Sequence, residues 1–131
     1  MIKEPSIVVA AAVIERNGAF LVTRRQKGVH LEGFWEFPGG KCEPGESNAA
    51  CLARELREEL AVDACIGAEI LATMHRYPTQ TVELHFLLCE LRGEPAPQQG
   101  QAMRWVSRAE LSALEFPAAD AELIRRLQVQ D

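Results

Sequence analysis

The chain has 131 residues, 47% of them hydrophobic and 25% charged, with a net charge of −5; this is the make-up of a single folded domain, 1–131, with one core. No stretch reaches the ~18 uninterrupted apolar residues of a membrane span, and no Lys/Arg run offers the basic footprint that duplex nucleic acid requires. The apolar run Ile7–Ile14 follows Lys3, but it is short and lacks a small-residue cleavage site; it reads as a strand, and the expected location is cytoplasmic.

In chain order, SIVVAAAVI (6–14) and AFLVTRR (19–25) flank Asn17-Gly18, a tight-turn signal that predicts a β-hairpin. Pro and Gly cluster at 38–45, at 93–100 and around Pro117, which reads as three loops. Residues 47–60 have helical period, with Leu52, Leu56 and Leu60 on one face beside Ala49 and Ala53, and Ser47 as N-cap. Residues 65–75 read as a strand pairing with TVELHFLLCEL (81–91), which alternates at Val82, Leu84, Phe86 and Leu88. MRWVS (103–107) is a short strand, and Ser107 with Glu110 forms a capping-box pattern for a short helix. DAELIRRLQ (120–128) closes the chain as an amphipathic helix with Leu123, Ile124 and Leu127 inward. This order predicts an α/β fold, a mixed sheet between helices.

Cys42, Cys51, Cys65 and Cys89 show no C-x-x-C pair and no histidine at zinc-finger spacing. They are expected to be isolated reduced thiols, mostly buried.

One segment is at odds with simple stability. Glu55, Glu58 and Glu59 lie within five residues; like charges three and four apart on a helix repel by roughly 0.2–0.5 kcal/mol per pair. At about 100° per residue they fill an arc of their own, away from the leucine face. One reading is a solvated face with Arg54–Glu58 as an i,i+4 pair. The other is a divalent-metal site, since hard cations take carboxylate oxygens together with waters and substrate phosphates. Gly39-Gly40 just upstream would let the main chain approach closely.

The spacing Gly40, five residues, Glu46, seven residues, Arg54-Glu55-Leu56-Arg57-Glu58-Glu59-Leu60-Ala61-Val62 resembles the Nudix box, G-x5-E-x7-R-E-U-x-E-E-x-G-U with U aliphatic. WEFPGGK (35–41), Arg24-Arg25 and FPAAD (116–120) resemble the MutT-like members; GFWEF, CEPGES and RELREEL also resemble relatives acting on CTP and modified pyrimidine triphosphates. The resemblance implies a Nudix α/β/α sandwich with a central mixed β-sheet. It also implies a Mg²⁺ cofactor, or Mn²⁺, held by Glu55, Glu58, Glu59 and the Gly39 carbonyl, with Glu46 and Arg54 as a supporting pair behind Gly40. Water would attack the β-phosphorus of a nucleoside triphosphate, giving monophosphate and pyrophosphate. Arg25 matches a phosphate-contacting arginine, or is a strand-end surface residue. Lys41 contacts substrate or only neutralises the metal loop. Trp35, Phe37 and Tyr77 frame the base or belong to the core, and His30 reads as a loop residue without a role.

Three positions depart from the family pattern. Ala61 replaces the glycine of the box and is expected to end the helix in ordinary right-handed or extended geometry. Gln99 stands where a further glutamate is expected; it cannot take a proton, which leaves Glu94, Glu58 or Glu59 as base, or a weak activity. Asp120 replaces the Asn of MutT: an ionised carboxylate only accepts hydrogen bonds, suiting an exocyclic amine on cytosine or adenine or an N–H of an oxidised purine, and a protonated one also donates; its other role, compatible with these, is to cap the last helix. The expected activity is pyrophosphohydrolysis of oxidised nucleotides such as 8-oxo-dGTP. Hydrolysis of CTP or 5-methyl-dCTP and a catalytically silent nucleotide-binding module are the alternatives, in a monomer or homodimer.

Overall fold

The computed structural model describes residues 6–129; Lys3 lies outside them. The predicted hairpin forms from β1 (Ser6–Arg16) and β2 (Ala19–Arg24). Asn17 and Gly18 both have positive φ, 53° and 78°, the left-handed pair that lets a two-residue turn follow the twist of its strands. β1 and β2 pair only beside the turn, at Glu15–Phe20 and Arg16–Ala19. Further from it β1 leaves β2 and runs parallel to β6 (Gln80–Leu91) from Ser6–Thr81 to Ile14–Cys89.

β5 (Ala64–Tyr77) and β6 form the expected antiparallel pair, joined at Pro78-Thr79. β7 (Met103–Ser107) adds to β2, as does the two-residue β3 (Trp35–Glu36). One expectation needs correction. The first Pro/Gly cluster is not all loop, because Gly39–Lys41 is a strand, β4, antiparallel to β1 at Val9–Ala11. A Cβ at Gly39 would overlap the Ala10 carbonyl oxygen and lie 2.8 Å from Ala11 Cα. The strand therefore forms here because glycine lets two main chains meet.

β1 carries the core on both faces. Ala10, Ala12 and Ile14 pack with Leu52, Leu56 and Leu60 of α1 (Asn48–Leu60). Ala11 and Val13 pack with Phe20, Phe86 and Val106, and with Leu123 and Leu127 of α2 (Ala121–Gln128). The result is an α/β/α arrangement around a mixed sheet. Short 3-10 turns at Ala109–Ala113 and Ala118–Asp120 lead into α2; the first carries the Ser107–Glu110 capping pattern, with the Ser107 N–H donating to Glu110 at 2.9 Å. No helix among the described residues is long and apolar enough to cross a membrane.

Ser47 caps α1 as expected, its hydroxyl oxygen accepting from the Ala50 N–H at 3.1 Å. The other end departs from expectation: Ala61 is left-handed, φ 50° and ψ 40°, with its N–H donating to Arg57 O. A methyl-bearing residue is held where glycine sits freely, at a cost of about 1 kcal/mol. Ala61→Gly is therefore expected to raise the melting temperature by roughly 3–5 °C, less what the freer unfolded chain takes back. Turnover should stay within twofold, since no side-chain chemistry is lost. A thermal melt beside a rate measurement checks both.

The cysteines also differ from expectation. Cys42, just after β4, and Cys51, in the first turns of α1, are disulfide-bonded with Cα atoms 5.1 Å apart. Their spacing is not a C-x-x-C motif; the turn from β4 into α1 is what brings them together. Cys65 is exposed rather than buried, and Cys89 is buried.

Candidate active site

β4 lies against β1 on one side and under α1 on the other, so the Gly-Gly pair meets the glutamates directly. The Gly39 N–H donates to the Glu59 carboxylate. A Cβ on Gly40 would overlap the Glu55 carboxyl, whose farther oxygen is only 2.7 Å from it. Arg54 ties the preceding loop to the helix: its Nε and Nη2 donate to the two Glu46 oxygens at 2.7 and 2.9 Å, and Nη2 also donates to Lys41 O at 3.0 Å. These bonds hold the Glu46 carboxyl far below the usual carboxylate range. Its Nη1 reaches the other way, to Glu55 at 3.1 Å and Glu58 at 2.9 Å.

Glu55 and Glu59 open on a cavity of about 550 Å³. The same cavity is lined by Arg25, Phe37, Gly39, Gly40, Lys41, Tyr77 and Asp120. It thus gathers most of the residues picked from the sequence, from β2 to the 3-10 turn before α2. His30 also lines it, its ring edge-on to Tyr77 at 5.2 Å. Glu58 is exposed and off the cavity wall, held towards Arg54. Trp35 lies outside the cavity, near the guanidiniums of Arg24 and Arg104 at 5.8 and 5.6 Å. Glu94 does not replace the missing glutamate of the 93–100 loop, because it pairs with Arg16 at 3.0 Å away from the site. Gln99 lines a smaller polar cavity of about 190 Å³ that shares Arg25, Glu36 and Glu59 with the larger one.

The electrostatics are anionic at one end. Burial, then the charges of Glu55 and Glu36, push the Glu59 carboxyl up to about 8. Burial also raises Glu55, against the pull of Arg54. Among the described residues no three His, Cys, Asp or Glu side chains converge as a ready metal cage; the Arg54 guanidinium occupies the position between Glu55 and Glu58 where a cation would draw them together. The donors at hand, carboxylate oxygens beside the Gly39 main chain, are of the kind a hard divalent cation takes.

Comparison with known proteins decides the family. A family model described as the NUDIX domain matches residues 9–126. The chain belongs to the Nudix family. It is 39% identical over 128 residues to the 8-oxo-dGTP diphosphatase of Haemophilus influenzae, covering 95% of this chain and 93% of that one. It is 37% identical over 118 residues to the CTP pyrophosphohydrolase of Escherichia coli, covering 89% and 86%. Its fold superposes on the solution structure of the E. coli ORF135 protein with a TM-score of 0.83 at 34% identity, covering 93% of this chain and 88% of that one. Nudix hydrolases generally use divalent metal ions.

Two residues of this Nudix site carry more than the sequence reading gave them. Glu36 was not singled out, yet it lines both cavities and receives the Arg25 Nη1 at 2.8 Å. Burial raises its carboxyl despite Arg25. Its only sequence signal is an acid between Trp35 and Phe37, just before the Gly-Gly pair. Arg25 is further fixed by donating from Nε to His30 O. Asp120 is 6% exposed, makes no capping bond to α2, and has no side-chain hydrogen bond or ion pair among the described residues. Burial, then the Glu36 charge, push its carboxyl up to about 7.

That shift predicts a pH-dependent stability. Between about 4 and 7 the unfolded chain has lost the Asp120 proton while the folded chain keeps it, so stability falls as pH rises through this window and is flat above it. Asp120→Asn removes the effect. The variant should match wild type near pH 4 and exceed it above pH 7 by a few kcal/mol, on the order of the linkage cost. Urea melts at pH 4.5 and 8 check the sign; a gain of equal size at both would refute it.

Proposed function

We propose that this Nudix chain is a Mg²⁺-dependent nucleoside triphosphate pyrophosphohydrolase, with Mn²⁺ as a possible substitute, acting on oxidised or non-canonical nucleotides. One observation carries the reading: a single cavity is lined both by the carboxyls of Glu55 and Glu59 and by apolar and aromatic side chains, with the buried Asp120 among them. A triphosphate and its base need those two kinds of lining.

Glu55, Glu58, Glu59 and the Gly39 carbonyl would hold a divalent cation, which when bound would polarise a phosphoryl oxygen and make an attacking water more acidic. Arg25, braced by Glu36 and His30 O, presents positive charge to the phosphates, and Lys41 adds to it from the cavity rim. Gln99 cannot accept a proton; Glu59, on the cavity wall, can once it is ionised. The products are a nucleoside monophosphate and pyrophosphate. Phe37 and Tyr77 offer ring surface to the base.

Asp120 favours a second reading of the base. As a carboxylate it only accepts hydrogen bonds, which suits the exocyclic amine of cytosine and hence CTP or 5-methyl-dCTP. As a neutral acid it also donates, which an oxidised purine such as that of 8-oxo-dGTP can use. The test is to incubate the protein with Mg²⁺ and 8-oxo-dGTP, dCTP, 5-methyl-dCTP, CTP or ADP-ribose, then identify products. Monophosphate with pyrophosphate supports the reading, and the relative rates choose the base. Tight binding with no turnover of any would show a silent module, and a fully active Glu58→Gln variant would sink the metal assignment.

A further inference from the structure

We propose that Cys42 and Cys51 form a reversible oxidation site whose disulfide holds β4 on α1 and keeps the helix carboxylates arranged for a cation. The inference rests, for its metal readout, on the function proposed above.

The bond spans the segment that carries the site. Cys42 follows Gly39–Lys41 directly and its N–H donates to Val8 O at 2.8 Å. Cys51 stands one helical turn before Glu55, with its sulfur 3.7 Å from Gly40 O. The enclosed loop contains Glu46 and the cap residue Ser47. Noncovalent ties across this loop pass largely through Arg54, which also holds Glu55 and Glu58. Once a cation competes for those two carboxylates, Arg54 loses partners, whereas the disulfide is indifferent to charge.

The four cysteines differ in exposure, and the disulfide rather than exposure singles out Cys42 and Cys51. Cys42 is half-buried and opens on a cavity of about 570 Å³ lined also by Lys41, Glu43, Asn48, Glu83 and His85. Cys51 is fully buried and bonded to Cys42. Cys89 is buried, with burial raising its thiol to about 12, and the exposed Cys65 sulfur accepts from Arg92 Nη2 at 3.4 Å.

The chemistry balances with a peroxide as oxidant. The Cys42 thiolate attacks one peroxide oxygen, breaking the O–O bond and releasing water as its sulfur becomes a sulfenic acid. The Cys51 sulfur then attacks the Cys42 sulfur and expels a second water. Two thiols lose two electrons to the peroxide, and a low-molecular-weight thiol reverses the bond by exchange.

The test uses the full chain, reduced with dithiothreitol or oxidised with hydrogen peroxide and freed of reagent. Free thiols should fall from four to two, with a Cys42–Cys51 linked peptide by mass spectrometry. Calorimetric titration with Mn²⁺ should show roughly three- to tenfold tighter binding in the oxidised form, the gain expected of a preorganised site. Cys42→Ser should bind Mn²⁺ like the reduced protein whatever its treatment, and Cys65→Ser should behave as wild type. Absence of the Cys42–Cys51 peptide, or equal Mn²⁺ affinity in both states, overturns the proposal. Turnover is not read, so failure of the proposed hydrolysis leaves this outcome separate.

Discussion

Glu59→Gln is expected to lower kcat/KM for nucleotide hydrolysis by roughly two to four orders of magnitude, the range for losing a positioned acid–base group. Glu59 is the glutamate most committed to the cavity: it is half-buried, bonded by the Gly39 N–H, and repelled by Glu55 and Glu36. The amide keeps size and shape and can still accept the Gly39 N–H, so the fold should persist. It should even gain stability at high pH, because a carboxyl near 8 resists ionisation that the unfolded chain accepts freely. The signature is therefore opposed changes, lower activity with an equal or higher melting temperature. Pyrophosphate release over a range of Mg²⁺ concentrations measures the first and a thermal melt the second. Activity within tenfold of wild type at saturating Mg²⁺ would remove Glu59 from the machinery.

The neighbouring glycines should fail in different ways when each is given a methyl group. Gly39→Ala drives a Cβ into the main chain of Ala10 and Ala11, at the first residue of β4, in a strand pair that cannot part without disturbing β1. The expected cost is several kcal/mol against a typical domain stability of roughly 5–15 kcal/mol, seen as a large drop in melting temperature or loss of soluble protein. Gly40→Ala meets instead the end of the Glu55 side chain, which can swing aside. That variant should fold nearly normally and lose roughly a hundredfold in activity, as displacement of a positioned group by about 1 Å does. Circular dichroism melts paired with rate measurements separate the two. Equal destabilisation by both substitutions would contradict the close-packing account.

What could be read from the sequence was what depends on neighbours in the chain. Asn17-Gly18, the Ser47 cap and the Leu52, Leu56, Leu60 stripe are local signals, and each element formed where they pointed. The carboxylate arc was legible for the same reason, since helix period alone segregates Glu55, Glu58 and Glu59. That Glu58 turns from the cavity was not, because Arg54 rather than the helix decides its direction. β4 was hidden because its partner, Val9–Ala11, lies some thirty residues upstream, and glycine has no strand propensity to announce it. The Cys42–Cys51 bond was missed because it depends on how β4 turns into α1. Ala61 was expected in ordinary geometry because alanine prefers it, yet the closing turn of α1 imposes the left-handed one. Glu36 looked unremarkable between aromatics; only the meeting of two cavities at its carboxyl shows its place.

The alanine run in β1 has a consequence for the size of what the protein holds. Ala10 and Ala12 face the α1 layer, and Ala11, one residue along, forms part of the cavity wall. These short side chains act as spacers of opposite sense in one strand. Lengthening Ala10 would lift the helix that bears the carboxylates, whereas lengthening Ala11 would fill the chamber and leave the helix seated. A substrate is thus gauged twice by adjacent links of the chain: its charged tail by the height of α1, and its ring by the depth over Ala11.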